Sequence, residues 1–399
     1  MKLLNTEIKN KVLATMERLL NEKRNLLLEA NVKDLEAFNR NDQALYDRLV
    51  VNSKKVDQMI QAVKEVRMQD DPVNQEISSV ELENGLNIIN KTAPFGAILI
   101  IYESRPDVTV EAAVLAFKAN NKIFLKGGKE AIHSNTVLVD FWHQALEENN
   151  LDKGYIELLN LDRTATQAFL KNPPEQLDLI VPRGGERLIA FVKEHATCAV
   201  LVSGRGNNFL YVHEKADWQK SIEVILNAKT HKISACNALD KILIDVNLNG
   251  YEQKIKELEA ILKSHNVEIL VDANSKQVLS EAQLIEDEAI WKEEFLAMKC
   301  VIGTVQNVDE AIAKINLNSG GHSAAIMTEE NSTADNFMQQ VDCAAVYKNA
   351  STRFTDGGQM GVGAELAIST DKLHHRGPLG LKQLVTNKYY VFGDGQIRD

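Results

Sequence analysis

The sequence predicts an α/β protein made of two successive parallel-sheet domains. Three observations carry this. Short β-branched runs alternate with helix-length segments from residue 96 onward, a second series of the same kind follows Cys236, and glycine pairs close two strands of the first series. Strand and helix in regular alternation mean βαβ units, because parallel strands need a crossover long enough to hold a helix. At 399 residues the chain is long enough for two or three domains, and 44% hydrophobic with 25% charged residues is ordinary for a globular chain.

Helices come first along the chain. Ile8, Val12, Leu13, Met16, Leu19 and Leu20 follow helical spacing, and two further helical patterns fill roughly 32–49 and 52–68. In VELENGLNII, Asn84-Gly85 lies between two strand-like runs, which signals a hairpin. Then AILIIYE is followed by VTVEAAVLAFKA, KIFLKG by EAIHSNTVLVDFWHQAL, YIELLN by TATQAFLK, and DLIVPRGG by ERLIAFVKEHA. The second series runs from KILIDVN and the charged helix YEQKIKELEAILKSH through VEILVDA, KCVIGTV with VDEAIAKIN, and SAAIMT with a helix to Val341. The tail TNKYYVFGDGQIRD reads as a last strand with polar ends.

A net charge of −11 argues against non-specific binding to nucleic acid or to a membrane surface, both of which need a basic face. The first residues, MKLLNTEIKN, carry no apolar signal core, and the run from Ala97 to Tyr102 is too short to span a bilayer. Four cysteines without a CxxC pair suggest neither a disulfide framework nor zinc. His374-His375 has no further ligands to converge with, so no metal site is expected, and the expected location is the reducing cytoplasm.

Two strand ends have the chemistry to hold phosphate. KIFLKGGKEAIHSN runs from a strand through Gly127-Gly128 into a helix start flanked by Lys126 and Lys129. Backbone N–H groups at such a start, with the helix dipole, favour an anion. A basic group at the strand end suits a 2′-phosphate, which favours NADP over NAD. Arg183-Gly184-Gly185 offers a second such mouth. The alternative for each glycine pair is a tight strand-to-helix turn with no ligand. A GxGxxG fingerprint is absent; Gly361-Val362-Gly363 lacks the third glycine.

Cys236 stands apart from the other cysteines. Cys198, Cys300 and Cys343 each adjoin an apolar run and read as small hydrophobes at strand edges, whereas Cys236 lies among Ser234, Ala235, Asn237 and Ala238. An unperturbed thiol, with a pKa of about 8.5, is a weak nucleophile at neutral pH and needs local activation. His231 and Lys232 are near in sequence, but they also suit the C-terminal end of a helix. From these residues alone, nucleophile and structural thiol both stand.

The sequence resembles the γ-glutamyl phosphate reductases (glutamate-5-semialdehyde dehydrogenases) of the aldehyde dehydrogenase superfamily. The stretches that carry the resemblance are APFGAILIIYESRPDVTVEAA, LKGGKEAIHSN, DLIVPRGG, ACNALD, FGDGQIR and, most specifically, AAVYKNASTRFTDGGQMGVGAELAISTDKLHHRGPLGL. It implies an aldehyde dehydrogenase-like α/β fold with a Rossmann-like NADP-binding domain over 1–230, including a β-hairpin oligomerisation arm at about 78–92. A catalytic domain over 231–365 and a return segment with an oligomerisation strand over 366–399 complete it. The resemblance places Cys236 on the catalytic cysteine, Lys126 at the adenosine ribose, and Gly184-Gly185 near the pyrophosphate. Glu294-Phe295 falls at the nicotinamide ribose, where the residues alone would read as a helix face.

The resemblance implies that the Cys236 thiolate attacks L-glutamyl 5-phosphate, releases phosphate and holds a thioester, which NADPH-dependent reduction converts to glutamate 5-semialdehyde in proline biosynthesis. The Cys236 backbone N–H is the simplest oxyanion donor, with the Asn237 side chain as a second donor or else a turn residue. Hydrolytic relatives carry a glutamate base some thirty residues before the cysteine, whereas VLVSGRGNNFLYV has no carboxylate. Two departures stand out. Ser104 replaces the superfamily's oxyanion asparagine, and GRGNNF replaces the commoner GNC-type segment. Arg105 and Arg353, in polar loops, suit bidentate contact with carboxylate or phosphate, or a structural ion pair. The expected partners are the small substrate, further copies of the chain, and glutamate 5-kinase in transient contact. The competing readings are a CoA-acylating or hydrolytic aldehyde dehydrogenase and, more distantly, a non-catalytic α/β binding protein.

Overall fold

The computed structural model describes residues 2–38 and 43–398, in two compact units. The first comprises Met1–Val202, Gly361–Ala367 and Leu379–Asp399; the second comprises Ser203–Met360 and Ile368–Pro378.

The first unit opens with α1 (Thr6–Glu22), α2 (Arg24–Ala37), α3 (Gln43–Leu49) and α4 (Ser53–Met68). The helix expected over 32–49 falls on the end of α2 and on α3, with 39–42 outside the described residues. Asn5 and Asn52 cap α1 and α4 by accepting from the backbone N–H three residues on, which satisfies one of the four unpaired donors at each helix start. Next come β1 (Glu76–Glu81), β2 (Asn87–Pro94), β3 (Ala97–Tyr102), α5 (Pro106–Lys118) and β4 (Lys122–Lys126). α6 (Ile132–Glu148), β5 (Ile156–Leu158), α7 (Arg163–Lys171), β6 (Leu179–Arg183), α8 (Glu186–His195) and β7 (Ala199–Val200) follow.

Strands β5-β4-β3-β6-β7 form a parallel sheet in that order. Every residue of β3 is buried, as a continuous apolar run covered on both faces requires. The hairpin β1–β2 turns at Gly85, whose φ of 86° suits glycine.

The second unit contains β8 (Asn208–Val212), α9 (Trp218–Thr230), β9 (Leu239–Asp245), α10 (Tyr251–Ser264), β10 (Glu268–Val271), α11 (Ala273–Val278) and β11 (Gln283–Leu284). It continues with β12 (Lys299–Val305), α12 (Val308–Asn318), β13 (Ser323–Met327), α13 (Asn331–Gln340), β14 (Ala345–Lys348) and the short pair β15 (Ile368–Ser369) and β16 (Gly377–Pro378). Its seven-stranded sheet runs β11-β10-β12-β9-β8-β13-β14. The chain then returns to the first unit, where β17 (Val385–Phe392) pairs antiparallel with β2.

The boundary between the units falls at 202–203, not at the expected 230–231. β8 lies between β9 and β13 and pairs in parallel with both, so residues 208–230 belong to the second sheet. Cys236 is therefore inside the second unit rather than at the junction of two series.

Candidate active site

Cys236 sits in the loop that joins α9 to β9, a half-buried position. The preceding segment, 203–207, forms its bed. Gly206 lies so close that a Cβ there would meet the Cys236 carbonyl oxygen at 1.9 Å and its Cα at 2.6 Å, and backbone atoms cannot swing aside. The Asn208 side chain, at the start of β8, donates from Nδ2 toward the carbonyls of Cys236 (2.8 Å) and Ala238 (2.7 Å), with the Gly206 carbonyl also at 2.8 Å. One buried amide thus ties the Cys236 and Ala238 carbonyls to the Gly206 segment. The unusual GRGNNF segment is the single sequence signal for this bed, and nothing in the pattern marks the part played by Asn208.

The Asn237 side chain is not available as a second oxyanion donor. Its Nδ2 donates to the carbonyls of Arg353 (3.2 Å) and Thr355 (2.9 Å), while the Thr352 hydroxyl donates to its backbone carbonyl at 2.8 Å. Asn237 ties the Cys236 loop to 352–355. That tie brings Arg353 to the site. Its Nε donates to Nδ1 of His231 at 3.5 Å, and its buried Nη1 has no hydrogen-bond partner among the described residues. Burial lowers the Arg353 guanidinium below its ordinary value, while its electrostatic interaction with Cys236 and Asp356 pulls the other way. A cation beside the thiol favours thiolate.

The remaining cysteines differ in kind. Cys300 and Cys343 are buried, and burial pushes their thiols up to about 12 and about 11. Burial also raises Cys198. All three are held as thiols.

Glu294-Phe295 lies not on a helix face but in an irregular segment after a 3₁₀ turn at Glu288–Lys292. The segment is held along its length. Asn207 Nδ2 donates to the carbonyl of Trp291 at 2.7 Å, Arg205 Nη1 to that of Lys292 at 3.0 Å, and Lys241 Nζ to that of Glu293 at 2.7 Å. The Glu294 carboxylate is raised by burial and accepts from the Gly206 N–H.

In the first unit, Lys126 ends β4 half-buried, with Nζ 3.1 Å from the Gly127 carbonyl, and burial lowers its pKa against the pull of Glu130 and Asp162. Lys129 is exposed beside it. The turn at Gly127-Gly128 is a poor anion mouth, because a carboxylate already fills it: a Cβ on Gly128 would meet Glu130 Oε1 at 2.0 Å. That oxygen accepts from the Ser104 backbone at 2.9 Å and the Ser104 hydroxyl at 2.5 Å. Ser104, strained at a φ of 24°, is thereby committed to Glu130.

The second mouth fits an anion better. Gly185 is the N-cap of α8 without a side-chain cap, and nothing lies within 4 Å of where its Cβ would be. Gly184 packs tightly, since a Cβ there would meet Glu103 at 2.7 Å. Arg105 pairs with Asp107 at 3.2 Å. Burial would raise Asp107, but Arg105 and Lys55 outweigh it and hold that carboxyl below its usual range.

The sequence pattern of the aldehyde dehydrogenase family matches residues 1–277 and 281–365. A γ-glutamyl phosphate reductase of Thermotoga maritima is 41% identical over 99% of this chain and 95% of its own length. One from Bacillus licheniformis is 42% identical over 98% of this chain and 92% of its own. The crystal structure of the Thermotoga maritima reductase superposes with a TM-score of 0.95, covering 99% of this chain and 95% of that one at 41% identity. An acetylating aldehyde dehydrogenase from Geobacillus thermoglucosidasius shares the fold, with a TM-score of 0.70 over 99% of this chain and 94% of its own at 18% identity. The chain belongs to the aldehyde dehydrogenase family and, within it, to the γ-glutamyl phosphate reductases.

Proposed function

We propose that this chain reduces L-glutamyl 5-phosphate to L-glutamate 5-semialdehyde with NADPH, through a thioester on Cys236, as a step of proline biosynthesis. The observation that carries the reading is the Cys236 loop itself, pinned by Asn208 and Asn237 and flanked by the partly unpaired Arg353 guanidinium. The relatives' reductase names supply the substrate.

The Cys236 sulfur attacks the acyl carbon, the acyl C–O bond to phosphate breaks, and phosphate leaves with that electron pair. Arg353 stabilises the thiolate before attack and the departing anion after it; it is the substrate-binding arginine of this unit. The Cys236 backbone N–H is the donor nearest the new oxyanion, while Asn237 holds the 352–355 loop. A bound nicotinamide cofactor supplies the hydride that reduces the thioester. Cys236 then leaves as thiolate when the thiohemiacetal collapses to aldehyde. Glu294, a buried carboxylate beside the aromatic Phe295, suits a ribose diol at the nicotinamide end of that cofactor. Within the first unit, Gly185 at the open start of α8 suits a diphosphate, and Lys126 with Lys129 suits a phosphorylated ribose, which favours NADP. Arg105 holds Asp107 and is a weaker candidate for substrate. The arm β1-β2-β17 serves contact between copies of the chain in the cytoplasm, and transient contact with glutamate 5-kinase would shelter a labile acyl phosphate.

The test is run in the oxidative direction. With no carboxylate in 201–213 to activate water, the acyl group on Cys236 must await phosphate. With NADP and aldehyde but no phosphate, stopped-flow absorbance should show at most one NADPH per active site and then a stall, relieved by phosphate or arsenate. Steady turnover without phosphate would instead indicate a hydrolytic dehydrogenase.

A further inference from the structure

Next to the Cys236 loop, three ionisable side chains are buried without contact to the proposed reacting atoms. Asp240 and Lys241 are consecutive residues of β9, 2% and 0% exposed, and Lys229 on α9 is also 0% exposed. Asp240 Oδ1 accepts from Lys229 Nζ at 2.9 Å, while its Oδ2 accepts from the Phe295 backbone N–H at 2.9 Å. Lys241 Nζ donates to the Glu293 carbonyl at 2.7 Å and sits 3.8 Å over the centre of the Phe295 ring.

Consecutive strand residues ordinarily face opposite sides of a sheet. Here the pairing of β8 with β9 slips, so that Leu239 faces Asn208 and Lys241 already faces Phe209, leaving Asp240 as the extra residue. Such a bulge re-aims side chains, and this one lets two neighbours reach one segment. Burying these charges is costly, and apolar residues would pack a core at lower cost. The same charges reach the buried Glu294 carboxylate, which Asp240 raises and Lys241 lowers. Leu296, directly after the pair, has a φ of 49°, a strained conformation that the network must hold in place.

We infer that Lys241, Asp240 and Lys229 are positioning residues that fix the segment 293–295 for the nicotinamide end of the cofactor. This rests on the cofactor reading of Glu294-Phe295 given above. Burial pushes Lys241 down to about 8, with Lys229 acting in the same direction and Asp240, Glu293 and Cys300 opposing. The other charged groups facing this network are Lys299 of β12, 5.5 Å from the Phe295 ring centre, and Arg205, which acts on Glu294. A depressed lysine is charged below its pKa and neutral above it. The segment is therefore held through pH 7 and loosened above pH 8, where the amine loses both its charge-assisted hydrogen bond and its attraction to the ring.

The experiment measures NADPH binding to the full-length protein by fluorescence titration from pH 6.5 to 9.5, alongside alkylation of Cys236 by iodoacetamide without cofactor. Parent affinity should be level to pH 7.5 and fall at least threefold by pH 9, about tenfold per pH unit being the ceiling for one proton. Lys241→Met and Asp240→Asn should weaken binding about tenfold at pH 7, with Cys236 alkylated at the parent rate in Lys241→Met. Lys241→Arg, which keeps its charge, should restore affinity and abolish the alkaline fall. Parent-like binding by Lys241→Met, or a parent profile level to pH 9.5, overturns the inference. If Glu294→Gln is impaired in that same series, the cofactor reading stands without the positioning role. If Glu294→Gln and Phe295→Ala both bind as the parent does, the cofactor reading itself fails.

Discussion

Asn208 explains how a cysteine in a loop of small residues acquires a fixed position. Ser234, Ala235 and Ala238 have small side chains, so the loop depends on hydrogen bonds, and a single buried Asn208 amide donates to the carbonyls of Cys236 and Ala238. Removing that amide leaves buried acceptors unpaired, at about 1–3 kcal/mol. Asn208→Ala should lower kcat by roughly tenfold to a hundredfold, with NADPH affinity changed little. Cys236→Ser sets the floor at no detectable turnover, because a hydroxyl is a far weaker nucleophile at neutral pH. If Asn208→Ala kept full kcat, the loop would be positioned by Gly206 and Asn237 alone.

At the scale of elements, the two strand-to-helix turns of the first sheet look alike in sequence and differ in space. Both end a strand in paired glycines. At Gly128 the space is filled by Glu130, four residues after Lys126, whereas at Gly185 it is open. Local pattern cannot report which side chain folds back into a turn. The alternation of strands and helices was legible, because β-branched runs between amphipathic helices encode it, and so was the hairpin at Gly85, because its turn requires positive φ. The unit boundary was not legible, since β8 joins its sheet through neighbours far away in sequence. The Asp240 bulge and the Asn208 contacts were hidden for the same reason. Cys236 and Arg353 could be singled out in the sequence, but their link through Asn237 exists only in the folded chain. For Lys126, the half-buried ammonium at the end of β4 leads to a cofactor prediction. Lys126→Glu should shift the ratio of kcat/KM for NADP over NAD toward NAD by roughly ten- to a hundredfold. An unchanged ratio would remove Lys126 from the ribose.

At the scale of the whole molecule, a three-stranded sheet of the first unit leaves apolar side chains uncovered. The sheet β1-β2-β17 draws its strands from residues 76–94 and from the tail. The pairing register sets Val80 opposite Ile88 and Ile88 opposite Val391, so the three share one face in a row across the sheet. Val80 and Val391 are 51% and 56% exposed, and Tyr389, two residues along the same face, is 62% exposed. Every residue of the edge strand β1 is exposed as well. An open edge beside an apolar row invites pairing with another chain unless it is covered. A second copy of the chain, offering the same self-complementary face, would cover both at once. Val391→Lys places a charge in the middle of the row without altering the backbone bonds of β17. It should lower the solution mass measured by light scattering to that of a smaller species, while NADPH binding, proposed above to rest on residues outside β1, β2 and β17, stays at the parent value. A parent-sized assembly in Val391→Lys would mean that the copies meet elsewhere and that the exposed row has another occupant.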